Sequence, residues 1–156
     1  MARELITSWS DYQAAVERLL AMACREILIY DEDLGSLKLD SPLTLSQLQR
    51  VTRADGQLRI ALRNAEPLRQ RHPQLLNLLS VFSHHATAQQ TPEHLSHLRD
   101  SMIIVDGKHG LIRFDRDQPR SKLLIDEVEE LRPYALRFSE IWSAEGNPVN
   151  ATTLGL

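Results

Sequence analysis

Eight residues of this chain carry side chains suited to hold a charged ligand or to move a proton: Asp31, Asp33, Arg63, Asn64, Arg99, Ser101, Arg113 and Asp115. They are scattered in sequence and meet only if the segments bearing them end at one edge of a sheet. Arginine presents a planar fork of N–H donors and stays charged at physiological pH. Arginines converging beside acids, an amide and a hydroxyl would hold an anionic small molecule or phosphate group by forked hydrogen bonds. The alternative is that the charges neutralise one another, Asp31 with Arg63 or Arg99 for example.

The apolar spacing says which elements would position them. Ser10-Asp-Tyr-Gln13 reads as a capping box, so a first helix starts near Ser8 or Ser10. It continues with Trp9, Tyr12, Val16, Leu19, Leu20 and Ala23 at helical spacing. Glu26 to Tyr30 is a short buried strand that ends in Asp31, Glu32 and Asp33. Ser41-Pro42 opens a second helix, which stops at Asp55-Gly56. Gln57 to Arg63 alternates as a second strand, and Asn64 to His72 reads as a loop or a short helical turn. Pro73 suits the first turn of a third helix. Ala86 to Thr91 is a weak strand. Ser101 to Asp106, Gly107-Lys-His-Gly110 and Leu111 to Asp115 form a tight hairpin. A last helical region runs from about Ser121 to Ala144, which Pro133 must kink or split.

The fold class is therefore α/β. The sheet is mixed, with a mainly parallel start from right-handed βαβ units, a C-terminal β-hairpin, and helices on both faces. Residues 1–146 make a single domain and residues 147–156 a tail. In open α/β sheets, ligands bind beyond the carboxyl ends of the parallel strands. The first strand ends at Asp31 and Asp33, the second at Arg63 and Asn64. If the Ser101 strand runs antiparallel to them, Arg99 and Ser101 come to the same edge. The returning hairpin strand then adds Arg113 and Asp115.

The stretch Arg99-Asp-Ser101-Met-Ile-Ile-Val-Asp106-Gly107 resembles the phospholipase D signature, His-x-Lys, four mostly apolar residues, then Asp and often Gly. Aligned on Met102 to Gly107, the acidic end matches, the family's His falls on Arg99 and its Lys on Ser101. His97-x-Arg99 would substitute only after a two-residue slip. The small Gly/Ser-x-Asn segment falls near Arg113 to Arg116 and is absent. The C-terminal pattern Leu136-Arg-Phe138-Ser-Glu-Ile-Trp142 is similar to a degenerate proteobacterial group of such domains. In that group the domain often follows a GNAT-type acetyltransferase. The resemblance implies one half of a phospholipase D-like fold without its nucleophile, because a guanidinium has no lone pair with which to attack phosphorus. It also implies a two-fold homodimer with Arg99 near the axis, since such sites are built from two motif-bearing halves. A functional link to an acetyltransferase follows from the same resemblance.

On this reading no residue is catalytic, none ligates a metal and no cofactor is bound. The function expected is a non-catalytic binding or regulatory domain. One alternative is a hydrolase of another class with Asp31 or Asp33 as base. Another is a nucleic-acid-binding module using Arg59, Arg63, Arg69, Arg71 and Arg99. A formal charge of -3 over 156 residues supplies no bulk field toward nucleic acid or anionic lipid. No Gly-x-Ser-x-Gly, P-loop or dinucleotide fingerprint is present. His84, His85, His94 and His97 crowd a polar stretch that reads as a solvated loop. Cys24, the single cysteine, reads as a buried structural thiol. The N-terminus lacks an apolar signal region and no run approaches a membrane span, so the expected location is the cytoplasm.

Overall fold

The computed structural model describes residues 1–149. Among the described residues, eight strands form one sheet: β1 Ala2–Ile6, β2 Glu26–Asp31, β3 Gln57–Leu62, β4 Ala86–Gln90, β5 Ser101–Val105, β6 His109–Arg113, β7 Ser121–Ile125 and β8 Asn147–Val149. Their order across the sheet is β1-β7-β6-β5-β2-β3-β4-β8. Strands β2, β3 and β4 are parallel, and every other pairing is antiparallel. The helices are α1 Trp9–Met22, α2 Pro42–Arg53, α3 Glu66–Arg71, α4 Pro73–Val81 and α5 Val128–Ser143.

Strand alternation sorts the core into two layers. Ile27, Ile29, Ile60, Leu62, Ile103 and Val105 face α1, α2 and α4 and are at most 1% exposed. Leu28, Tyr30, Met102, Ile104, Ile112 and Leu124 face the opposite way and are covered by Leu131, Phe138 and Ile141 of α5. Gly110 lets α5 approach, because a Cβ there would collide with Leu131.

Four local expectations need correction. Ser8, not Ser10, caps α1: its Oγ accepts from the Asp11 N–H at 3.1 Å. Ser121 to Ile125 forms a strand rather than helix, because both its edges pair, with β6 on one side and β1 on the other. Pro133 sits inside an uninterrupted α5. It is exposed, and its missing N–H removes only the helical donor to the Glu129 carbonyl. Residues 147–149 of the expected tail add a strand to β4; residues 150–156 lie outside the described residues.

Candidate functional site at the carboxyl edge of the sheet

Strand register brings the first group together. Ser101, at the start of β5, lies opposite Arg113, at the end of β6. Tyr30 pairs with Met102, so Asp31 reaches the Ser101 level from the other side. The Ser101 hydroxyl donates to Asp31 Oδ1 at 2.5 Å, and Arg113 Nη2 donates to the same oxygen at 2.8 Å. Asp31 Oδ2 accepts the backbone N–H of Leu34 at 2.7 Å and of Asp33 at 3.2 Å. Asp31, Ser101 and Arg113 are all at most 2% exposed. Arg113 Nη1 donates to the Arg116 carbonyl at 2.8 Å. The guanidinium lies over the rings of Tyr12 and Trp9, at 5.0 and 5.3 Å, a cation–π arrangement at a desolvated site. Burial pushes the Tyr12 phenol above its ordinary range, against the opposing pull of Arg113.

A second group is built around Arg63, which is also buried. Its Nε donates to Glu32 Oε2 and its Nη1 to the Asp100 carbonyl, both at 2.7 Å, and it lies over the Tyr30 ring. Glu32 Oε1 accepts from Arg116 at 2.9 Å. The Asp100 carboxylate accepts a two-pronged pair from Arg137 at 2.8 and 3.0 Å.

The third group is at the surface. Arg99 grips both oxygens of Asp115, at 2.9 and 3.0 Å, and reaches Asp117. The Arg99 hydrogen bonds, helped by the Asp117 N–H, hold the Asp115 carboxyl at about 2.

Of the eight sequence candidates, Asp31, Ser101 and Arg113 meet in one buried cluster. Arg63 is engaged with Glu32 instead, and Arg99 with Asp115 outside that cluster. Asp33 accepts from the Gly35 N–H in its own loop. Asn64 is exposed and accepts from the Glu66 N–H. Sequence reasoning missed Glu32, Asp100, Arg116, Asp117 and Arg137 as members. Glu32, Arg116 and Asp117 stand in polar runs beside predicted members, and that adjacency was the available signal. Nothing in the spacing links Asp100 to Arg137.

A cleft of about 390 Å³ remains at this edge. Asp31, Glu32, Asp33 and Asp117 line it against only Arg113 and Arg116. Most arginine donors expected to grip an anion already hold carboxylates or backbone carbonyls, while Arg63 Nη2 and Arg113 Nε are buried without a hydrogen-bond partner.

At the other end of β5, Asp106 accepts the backbone N–H groups of Cys24, Arg25 and Glu26 at 2.9, 2.8 and 2.9 Å. Burial raises its carboxyl, but the three N–H groups outweigh that and hold it below its ordinary value. Asp106 has a φ of 56° and opens the hairpin turn. The same attachment turns Cys24 outward, so the expected buried thiol is exposed. His94 and His97 are exposed near the 3₁₀ turn Glu93–Leu95. No group of three metal-ligating side chains occurs among the described residues. Arg59 lies over the Trp142 ring and Arg69 pairs with Glu66, so with Arg63 buried these arginines form no continuous basic strip.

The family model described as a domain of unknown function, DUF7931, matches residues 8–150. The chain belongs to this family. No curated protein matches it. Solved structures share the fold at low identity. TrmBL2, an archaeal chromatin protein, superposes with a TM-score of 0.72 at 13% identity, over 96% of this chain and 54% of its own. This DUF7931 chain thus spans about half the length of TrmBL2. Nuc from Salmonella typhimurium, a phospholipase D family member, gives 0.67 at 11% identity, over 96% of this chain and 99% of its own. NucT from Helicobacter pylori gives 0.60 at 9% identity, over 95% and 99%. The DUF7931 chain therefore has a phospholipase D-like fold. No helix among its described residues is long and apolar enough to cross a membrane.

Proposed function

We propose that this chain is a non-catalytic binding or regulatory domain on a phospholipase D-like fold. The observation that carries this reading is the state of the two positions onto which the resemblance places the family's His and Lys. Arg99 is paired with Asp115 and Asp117, and Ser101 is buried against Asp31. Neither side chain is a free nucleophile: one is a guanidinium without a lone pair, and the other donates its proton to a carboxylate that Arg113 neutralises.

An anionic ligand at this edge would compete with the carboxylates already held by Arg63, Arg99 and Arg113. That makes a phosphate pocket the weaker form of the binding role. TrmBL2 is described as binding DNA. The scattered, paired arginines and the net charge of -3 do not favour the same role for this chain. Service to an acetyltransferase partner remains what the resemblance implies. The test is hydrolysis of bis-p-nitrophenyl phosphate by the full chain. The expected result is no turnover above buffer. Turnover that is lost in Ser101→Ala would overturn the proposal.

A further inference from the structure

Among the described residues, β8 covers only part of β4. Asn147, Pro148 and Val149 pair with Gln90, Gln89 and Ala88, and Thr87 and Ala86 lie beyond them on β4. A cleft of about 330 Å³ opens along that edge, with Leu79 of α4 on one side and Trp142 of α5 on the other. Hydrogen-bond direction along β4 is fixed by its other neighbour, β3. The His85 carbonyl accepts from the Leu58 N–H, and the Thr91 N–H donates to the Leu62 carbonyl, both at 2.8 Å. Alternate residues of a strand turn their peptide groups to the same side. Positions 85, 87, 89 and 91 therefore serve β3, and 86, 88 and 90 serve the opposite edge. The Ala86 N–H is taken by the Phe82 carbonyl at 2.8 Å. The Ala86 carbonyl faces the open edge and has no donor among the described residues, although Ala86 is only 2% exposed. A buried backbone carbonyl in that state is rare.

We propose that residues 150–152 of this chain continue β8 into the cleft and that the Ala151 N–H donates to the Ala86 carbonyl. Register selects this occupant. Counting on from Val149 opposite Ala88, Asn150 falls opposite Thr87 and Ala151 opposite Ala86. Val149, Ala88 and Ala86 are buried in the same core layer as Leu79, so alternation returns Ala151 to that layer. Asn150 then turns the other way, with the exposed Thr87. A methyl side chain suits a wall built from Ala86 and Leu79, whereas a slip of one residue would turn the Asn150 amide inward. The segment is also tethered to Val149, which itself lines the cleft. A strand from another molecule would compete against an effective concentration of roughly millimolar order. Pairing stops at Ala86, because the turn from Phe82 to His85 precedes it. This contact is remote from the Arg99 edge and independent of the non-catalytic reading, which turnover alone tests.

The experiment is NMR of the full chain at two protein concentrations, reading amide exchange and proton–proton contacts. The Ala151 amide is expected to exchange at least about tenfold more slowly than those of Asn150 and Thr152, whose N–H groups face away from β4 in this register. The α-protons of Asn150 and Thr87 should be in contact, as in a non-hydrogen-bonded antiparallel pair. Both signals should survive dilution. Ala151→Pro removes the donor. It should abolish the Asn150–Thr87 contact and speed exchange at Val149, with the β2 amides still protected as proof of folding. Ala151→Ser keeps the donor and the small size and should behave as the wild type. An Ala151 amide as fast as its neighbours, signals that fade on dilution because a second copy supplies the strand, or a Val149 amide indifferent to Ala151→Pro would each overturn the proposal.

Discussion

The two ends of strand β5 fix carboxylates in opposite ways. At its start, Asp31 is held by side chains, Ser101 and Arg113, with two loop N–H groups behind them. At its end, Asp106 is held by three backbone N–H groups. The first end depends on three particular residue types drawn from three strands. The second needs one acceptor and a chain that passes close by. A signature-like sequence can therefore keep its Asp-Gly end for architectural reasons while its opening positions are rebuilt as ion pairs. The likeness of Met102 to Gly107 to a catalytic motif coincides with the hairpin and its attachment to β2.

Removing one partner at the side-chain end should have the largest effect. Asp31→Ala leaves the Arg113 charge buried and uncompensated, and we expect a loss of about 3–5 kcal/mol in urea unfolding. A loss below about 1 kcal/mol would mean that the edge is open and hydrated. Between the two ends, Ile60→Ala and Ile103→Ala each remove buried side chains at most 1% exposed. Each should lower stability by about 2–5 kcal/mol. Near-wild-type melts at both positions would place the core elsewhere.

At the backbone end, Asp106→Ala strips the acceptor from three N–H groups, two of them near solvent. A loss of about 1.5–3 kcal/mol is expected, smaller than at Asp31. Amide exchange at Cys24, Arg25 and Glu26 should accelerate in the same variant. Unchanged exchange there would contradict the assigned role of Asp106.

The smallest effect belongs to the surface group. Asp115 has a folded pKa of about 2 against an ordinary 3.8. A depressed carboxylate stabilises the fold above the ordinary value, and that contribution disappears as pH falls through about 2. Arg99→Ala should leave the urea midpoint at pH 7 nearly unchanged. It should also return the Asp115 titration, followed by carboxyl NMR shifts, toward 3.8. An Asp115 midpoint that stays near 2 without Arg99 would dissolve this pair.

Much of the architecture was legible because the apolar runs were strong. Ile27 to Tyr30, Gln57 to Leu62 and Met102 to Val105 carry strand signals that tertiary packing reinforces. The β5–β6 turn was marked by Gly107 and Gly110. Ser121 to Ile125 was not legible, since Ser-Lys-Leu-Leu-Ile fits a helix as well as a strand and only the flanking β1 and β6 decide it. Strand β1 was missed because Ala-Arg-Glu-Leu-Ile is short, charged and at an edge.

At the site, convergence on one edge followed from strand direction, which the sequence order implies. Partner choice did not follow. Whether Arg63 takes Asp31 or Glu32 depends on which face each side chain leaves β2, and one residue of register reverses it. Pairs such as Asp100 with Arg137 join a loop to a helix 37 positions away, which no local rule anticipates.

The central claim is that Asp31 and Arg113 exist for each other rather than for an incoming ligand. A double-mutant cycle with Asp31→Leu and Arg113→Met, read by urea unfolding, tests it most directly. The account predicts that each single variant loses about 3–5 kcal/mol, while the double variant loses less than either, because no buried charge is left alone. Single losses that add in the double variant, or singles as stable as the wild type, would contradict it.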